Sequence, residues 1–384
     1  MRTFFGVFLL VLALAVPASA EALSPQEAAE RLFRSESIDP EWFAQQGFAA
    51  PVERAVDDIR KELGALEGIE PCTDQCLAIF ERGEVTFDIG LDDQGRIEML
   101  LFDVPIGYAA SLEEAVARLT DLPGDVSVFI ASEGAPRIDV GGDRPLAVGS
   151  AFKLAVLKAL DNLIGAGKLA WDDVVSFRDE WRSLPTGQMR EWPAGAPVTL
   201  HTLAALMISE SDNSASDALI DIVTRNSVET VSPRNRPFLT TREFFQLKAK
   251  DGAALRDAYL AGSFDVWMAI LSDLRAAPLV RAADLETTPL PGIEWYFTTA
   301  ELCSLMGEMQ DLDVLQINPG IARKGDWNRV SFKGGSDFGV FNLTTGVETA
   351  EGVRHCVSAT WNDDETLDED TFMVLYAGLL HQLK

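Results

Sequence analysis

The sequence predicts an α+β protein built as two folded units behind an export signal. Three patterns carry that reading. Helical periodicity over residues 24–65 gives way to three short strand-like runs separated by turns. A fresh helix start appears at Ser111. Residues 108–384 then hold mainly helical segments, with strand runs at their two ends. The 384 residues accommodate two domains or three, at roughly 150 residues each. Apolar residues make up 47% of the chain, enough for a sizeable core.

Residues 1–20 read as a cleavable signal peptide. Arg2 is a short positive start, residues 4–16 are continuously apolar, and Ala18-Ser19-Ala20 is an A-x-A cleavage site. No later apolar run is long enough to span a bilayer. The expectation is a periplasmic or secreted protein with no membrane insertion after cleavage.

The first unit is expected over residues 21–107. Ser24-Pro25-Gln26-Glu27 combines a capping box with proline at the first helical position. A second helix near 51–65 carries Val52, Ala55, Val56, Ile59 and Leu63 on one stripe. Strand runs follow at 76–81, 84–89 and 96–102, separated by Arg82-Gly83 and by Asp92-Asp93-Gln94-Gly95. Nothing in this unit is a chemical motif. The second unit, residues 108–384, opens with a capped helix at Ser111-Leu112-Glu113-Glu114 that stops at Leu122-Pro123-Gly124. Residues 126–131 then read as a strand and 137–140 as its hairpin partner.

Charge and composition narrow the function. With 32 basic and 60 acidic residues the net charge is −28. That argues against nucleic acid as a partner, because phosphates are held by Lys and Arg. Only His201, His355 and His381 are present. They cannot build a multi-histidine cage, and no metal or other cofactor is expected. Four cysteines in an exported chain suggest disulfides, with three pairings possible. Cys72–Cys76 and Cys303–Cys356 are favoured, the latter tying a helix to a late strand; buried free thiols are the alternative.

Three motifs in the second unit carry chemistry. Ser150-Ala151-Phe152-Lys153 opens an apolar helix. Its serine and lysine lie one turn apart and share a face. The serine sits where free N–H groups and the helix dipole favour negative charge. Ser211-Asp212-Asn213 follows the apolar helix Leu203–Ile208. Lys333-Gly334-Gly335 lies between two strand-like runs, and its glycines allow a close approach of backbone to a ligand.

Together these resemble the S-x-x-K, S-D-N and K-T-G set of class A β-lactamases and penicillin-binding proteins. The stretch from Gly195 to Ala215 resembles the class A S-D-N helix throughout. The resemblance covers residues 108–384 and implies a helix–sheet–helix sandwich around an antiparallel sheet. Residues 21–107 resemble, by pattern alone, the ketosteroid-isomerase or NTF2-like (cystatin-like) domain that precedes such a domain in some serine hydrolases.

The resemblance implies a role for each residue. Ser150 is the acyl-forming nucleophile and Lys153 accepts or relays its proton. Ser211 passes a proton to the leaving group, and Asn213 positions Lys153 and the substrate amide. Lys333 holds Ser211 and attracts a substrate carboxylate. Gly335 and Ser336 bind substrate, and the N–H groups of Ser150 and Ser336 form the oxyanion hole. The sequence departs from the pattern twice. Gly334 stands where a hydroxyl residue is common, with Ser331 or Ser336 as replacements. No E-x-x-L-N follows the S-D-N motif, which leaves Glu243 as the nearest candidate for the deacylation base; its alternative is an ordinary glutamate in a capped helix. Trp181, Trp192, Trp295 and Tyr296 line the mouth or simply pack.

Other readings are weaker. Ser150 is not in a G-x-S-x-G elbow, since Val148 and Phe152 occupy the flanking positions. The acidic run from Asp363 to Asp370 reads as a solvated loop and helix start. Asn342-Leu343-Thr344 is a glycosylation sequon only in a pathway that uses one. The expected function is an exported serine hydrolase acting on a small molecule, a β-lactam first, with roles in β-lactam catabolism and antibiotic resistance. The alternatives are a carboxylesterase or D-amino-acid peptidase, and a sensor that binds penicillin or wall fragments without turnover.

Overall fold

The capping box at Ser24 forms as the sequence requires. The Ser24 hydroxyl accepts from Glu27 N–H while the Glu27 carboxylate accepts from Ser24 N–H. A computed structural model describes residues 23–72, 75–184 and 186–384 of the chain. The signal-peptide reading of residues 1–20 lies outside them. The chain divides into two compact units, the first ending at Asp103 and the second beginning at Val104.

In the first unit the helix Pro25–Arg34 buries Ala28, Ala29, Leu32 and Phe33. The helix Ala49–Leu63 buries Val56, Ile59 and Leu63 and stops at Gly64, whose φ of 86° is open to glycine. Arg60 donates to the carbonyls of Leu32, Phe33 and Ser35, which satisfies the end of the first helix. Strands Leu66–Glu70, Cys76–Phe80, Gly83–Leu91 and Ile97–Phe102 lie antiparallel in chain order. The first of them was not expected: Gly68 sits at a register shift in a weakly apolar run. Phe33 packs edge-on against Phe80, Phe87 and Phe102, joining helix to sheet. Cys72 and Cys76 form a disulfide.

The second unit is built on an antiparallel sheet. Its order is Arg329–Asp337, Val340–Glu348, Arg354–Asn362, Asp125–Ser132, Ala135–Val140. Strands from the two ends of the unit meet in its middle. Alternation along Asp125–Ser132 sends Val126, Val128 and Ile130 to one face and Phe129 and Ala131 to the other. Helices Leu112–Thr120 and Glu369–His381 cover the first face through Val116, Leu119, Phe372 and Tyr376. The second face is covered by Thr299–Met309 and by the helical layer that includes Lys153–Gly165. In the latter every residue from Lys153 to Leu157 is buried, as in a helix apolar on all sides.

Cys303 and Cys356 are joined, tying the helix Thr299–Met309 to the strand Arg354–Asn362 as expected. Asn342 of the sequon is fully buried and donates to Thr360 and the Ala359 carbonyl, so it is inaccessible once folded. Within the acidic run Asp368 caps the helix Glu369–His381, and Glu369 and Asp370 form its first turn.

The Cys303–Cys356 bridge closes a loop with a sequence separation of 53. Replacing both cysteines by serine is expected to lower the stability of the second unit by about 2–4 kcal/mol, read by denaturant unfolding under non-reducing conditions. An unchanged midpoint would show that the crosslink constrains nothing.

Candidate active site

Ser150 lies on the 3₁₀ turn Gly149–Phe152, which runs directly into the helix Lys153–Gly165. The turn is pressed against the strand Arg329–Asp337. A Cβ on Gly335 would come within 2.5 Å of the backbone nitrogens of both Ser150 and Ala151. A Cβ on Gly149, whose φ is 49°, would come within 2.8 Å of Ser336 N. Two glycines therefore let the backbone of the nucleophile turn meet the backbone that carries Ser336.

Lys153 is fully buried. Its Nζ donates to Ser211 O at 2.6 Å, Ser211 Oγ at 3.1 Å and Asn213 Oδ1 at 2.7 Å. Burial holds its pKa well below the ordinary lysine value, the charge of Lys333 lowers it further, and Asp212 and Asp217 work the other way. Lys333 reaches the same hydroxyl, Nζ to Ser211 Oγ at 3.1 Å. Burial brings its pKa down to about 7. The Ser211 hydroxyl thus lies between two lysine amines.

The break between the helices Leu200–Ser209 and Asn213–Val223 makes this possible. Ser211 has a φ of 54°, a left-handed conformation costly for a residue with a side chain. Its carbonyl is fixed by Lys153 and by Thr186 Oγ1 at 2.7 Å. Asp212, fully buried, caps the second helix at Ala215 N and accepts from Met189 N at 2.8 Å. Asn213 is held with Oδ1 toward Lys153 and Nδ2 toward the Leu184 carbonyl.

Ser150, Asn213 and Ser336 line one cavity of about 190 Å³ together with Thr186, Thr241 and Trp295. Glu243 is not among its lining residues. One Glu243 oxygen accepts from Thr240 N at 2.8 Å in a capping box, and the other accepts from Arg225 Nη2 at 2.6 Å. Both are committed to structure. Of the two hydroxyls considered in place of the one missing at Gly334, Ser331 is fully buried and donates to the Gln310 carbonyl, whereas Ser336 is exposed in the cavity. Trp295 is a wall of the cavity and stacks on Phe152. Trp181 packs in the core with its Nε1–H on Asp221, and Trp192 packs against the same core. Tyr296 is half-buried and lines a neighbouring cavity. His355 bonds Ser132 and His201 pairs with Asp313; neither lines the Ser150 cavity.

Sequence reading missed three buried ionisable groups, Asp217, Lys248 and Glu294, and the half-buried Asp337. Asp217 accepts from Thr241 N, Thr241 Oγ1 and Arg242 N, and burial pushes its carboxyl up to about 7. Its signal was an acid among the buried residues of the helix Asn213–Val223. Lys248, Glu294 and Asp337 gave no signal, being scattered in sequence and gathered only by the fold.

A model of the β-lactamase enzyme family matches residues 111–248, which include Ser150, Lys153, Ser211 and Asn213. Among solved structures, a β-lactamase from Sphaerobacter thermophilus DSM 20745 is 21% identical, with a TM-score of 0.50, over 71% of this chain and 97% of that one. The chain has the β-lactamase fold. An ancestral class A β-lactamase matches over 71% of this chain and 100% of that one, at 17% identity and a TM-score of 0.50. No curated protein matches the chain. On the β-lactamase fold of this chain, the two buried lysines and the left-handed serine occupy one junction between helix and sheet.

That burial has a measurable signature. The Lys333 amine is protonated up to about 10.5 in the unfolded chain but only up to about 7 in the folded one. The unfolded state therefore binds more protons between those values, and stability rises with pH across that window. Lys333→Met removes the buried charge. Its stability gain over wild type is expected to be largest below pH 7 and to shrink toward pH 10, read by thermal unfolding at several pH values. A gain independent of pH would mean that Lys333 is not desolvated.

Proposed function

We propose that the chain is an exported serine hydrolase that opens a strained amide, a β-lactam first, or an ester, through an acyl group on Ser150. The observation that supports this most is the Ser211 hydroxyl placed between Lys153 and Lys333, with Ser150 on the turn that leads directly into the Lys153 helix. A lysine with a lowered pKa is neutral often enough to act as a base. Lys153 takes the Ser150 proton as Oγ adds to the substrate carbonyl carbon. The N–H groups of Ser150 and Ser336 stabilise the oxyanion; losing one such donor in a comparable site costs on the order of 10²–10³ in rate. As the C–N or C–O bond breaks, Ser211 gives its proton to the leaving atom and regains one from the lysines. Asn213 keeps Lys153 oriented. The protonated fraction of Lys333 attracts a substrate carboxylate. Water then releases the acyl group. The leading unit, two helices against an antiparallel meander, is read as an NTF2-like module. No metal or cofactor enters the scheme.

A second reading is favoured by one specific observation. Glu243, the nearest candidate for activating the hydrolytic water, is tied to Thr240 and Arg225. Slow deacylation follows, which suits an esterase, a D-amino-acid peptidase or a penicillin-binding sensor.

Intact-protein mass spectrometry over time with a penicillin separates these readings. A covalent adduct is expected in wild type and none in Ser150→Ala. An adduct gone within seconds marks a β-lactamase, and one lasting hours marks the slow readings. Full labelling of Ser150→Ala would sink the nucleophile assignment.

A further inference from the structure

The cavity that holds Ser150 is also lined by Phe244, Phe245, Trp295, Glu294 and Asp337. Glu294 is the anomaly among them. It is only 8% exposed, and both carboxyl oxygens are buried with no hydrogen-bond donor. Its polar neighbour is the Asp337 carboxylate, itself an acceptor, and Lys248 pairs with Asp337. One buried lysine thus faces two carboxyl groups. Burial first, and the charge of Asp337 second, push the Glu294 carboxyl up to about 8. Glu294 therefore carries a proton at neutral pH, shared with the Asp337 carboxylate, because one lysine does not offset burial and the second carboxyl group.

A buried acid left without a donor is costly unless something supplies one. The surrounding surface suits a cation, since rings of Phe and Trp attract ammonium groups through their faces. The position of the acids indicates which part of a substrate they meet. Asp337 directly follows Ser336, whose N–H is assigned to the oxyanion hole. Neither Ser211 nor Lys333, which serve the leaving group, lines this cavity.

We propose that Glu294, with Asp337 beside it, is a subsite for a protonated amine on the acyl portion of the substrate. Preferred acyl donors then carry an aromatic or aliphatic body ending in an ammonium group. The amine displaces the shared proton and gives Glu294 the donor it lacks. This assignment rests on the acyl-enzyme reading for the direction of the substrate, but the subsite can be tested without turnover.

The probes are ethyl 4-(aminomethyl)phenylacetate and ethyl 4-ethylphenylacetate, alike in shape and different in charge. Their binding to Ser150→Ala is measured by calorimetry near neutral pH. The amine is expected to bind tighter by about tenfold or more, as a charge-assisted contact supplies. The double variant Ser150→Ala/Glu294→Gln is expected to shrink that ratio several-fold. Equal affinities, no binding of either probe, or a ratio that survives Glu294→Gln would each overturn the subsite. A lower melting midpoint in Glu294→Gln with an unmoved ratio would give Glu294 a structural role only, and also overturns it. The comparison in Ser150→Ala alone stays decisive if the double variant does not fold. Turnover of the same esters by wild type tests the hydrolase reading separately. A preserved amine preference without any Ser150 acylation would defeat that reading and keep the subsite.

Discussion

Lys153 carries its amino group to a place that water does not reach, and three acceptors from a single turn meet it there. Burying an ammonium is expensive unless every proton finds a partner. Here the partners are the carbonyl and hydroxyl of Ser211 and the amide oxygen of Asn213. That requirement accounts for much of the local architecture. The chain must break between two helices, Ser211 must turn left-handed, and Asp212 must cap the helix that follows. The left-handed Ser211 is costly locally and is held by the lysine's need for acceptors, while the Asp212 cap stabilises the helix that follows. The same turn then presents the Ser211 hydroxyl to Lys333 from the sheet, so helix layer and strand meet at one oxygen.

Much of this was legible in the sequence, for physical reasons. Capping boxes at Ser24, Thr240 and Thr298 are local and depend on residues three apart; of these, sequence reading caught the first. Ser150 and Lys153 share a helical face by spacing alone. The strands at both ends of the second unit were visible as apolar runs. What stayed hidden depends on the fold. Glu294 and Asp337 become neighbours only once the residues leading into Tyr296–Phe297 and the end of Arg329–Asp337 line one cavity. Glu243 looked available because its partner Arg225 lies in another helix. The strand Leu66–Glu70 was missed because its two glutamates and a glycine obscure the alternation.

The segment between Thr241 and Thr298 shapes the cavity from its outer side of the sequence. The helix Thr241–Leu247 contributes Thr241, Phe244 and Phe245 as walls, and Lys248, just beyond it, pairs with Asp337 on the strand. An ion pair thus fastens the cavity wall to the strand that carries Ser336. The geometry of the Ser150 cavity is in this way coupled to charge, and the cavity's walls and its polarity cannot vary independently.

The middle of the second sheet pairs Asp125–Ser132 with Arg354–Asn362. On a ribosome that makes the chain from its N-terminus, the earlier strand waits for its neighbour until synthesis is nearly over. Contacts of such long sequence separation also form slowly. The second unit therefore cannot complete its sheet until almost the whole chain has been made, and Asp125–Ser132 spends most of that time without one of its two neighbours.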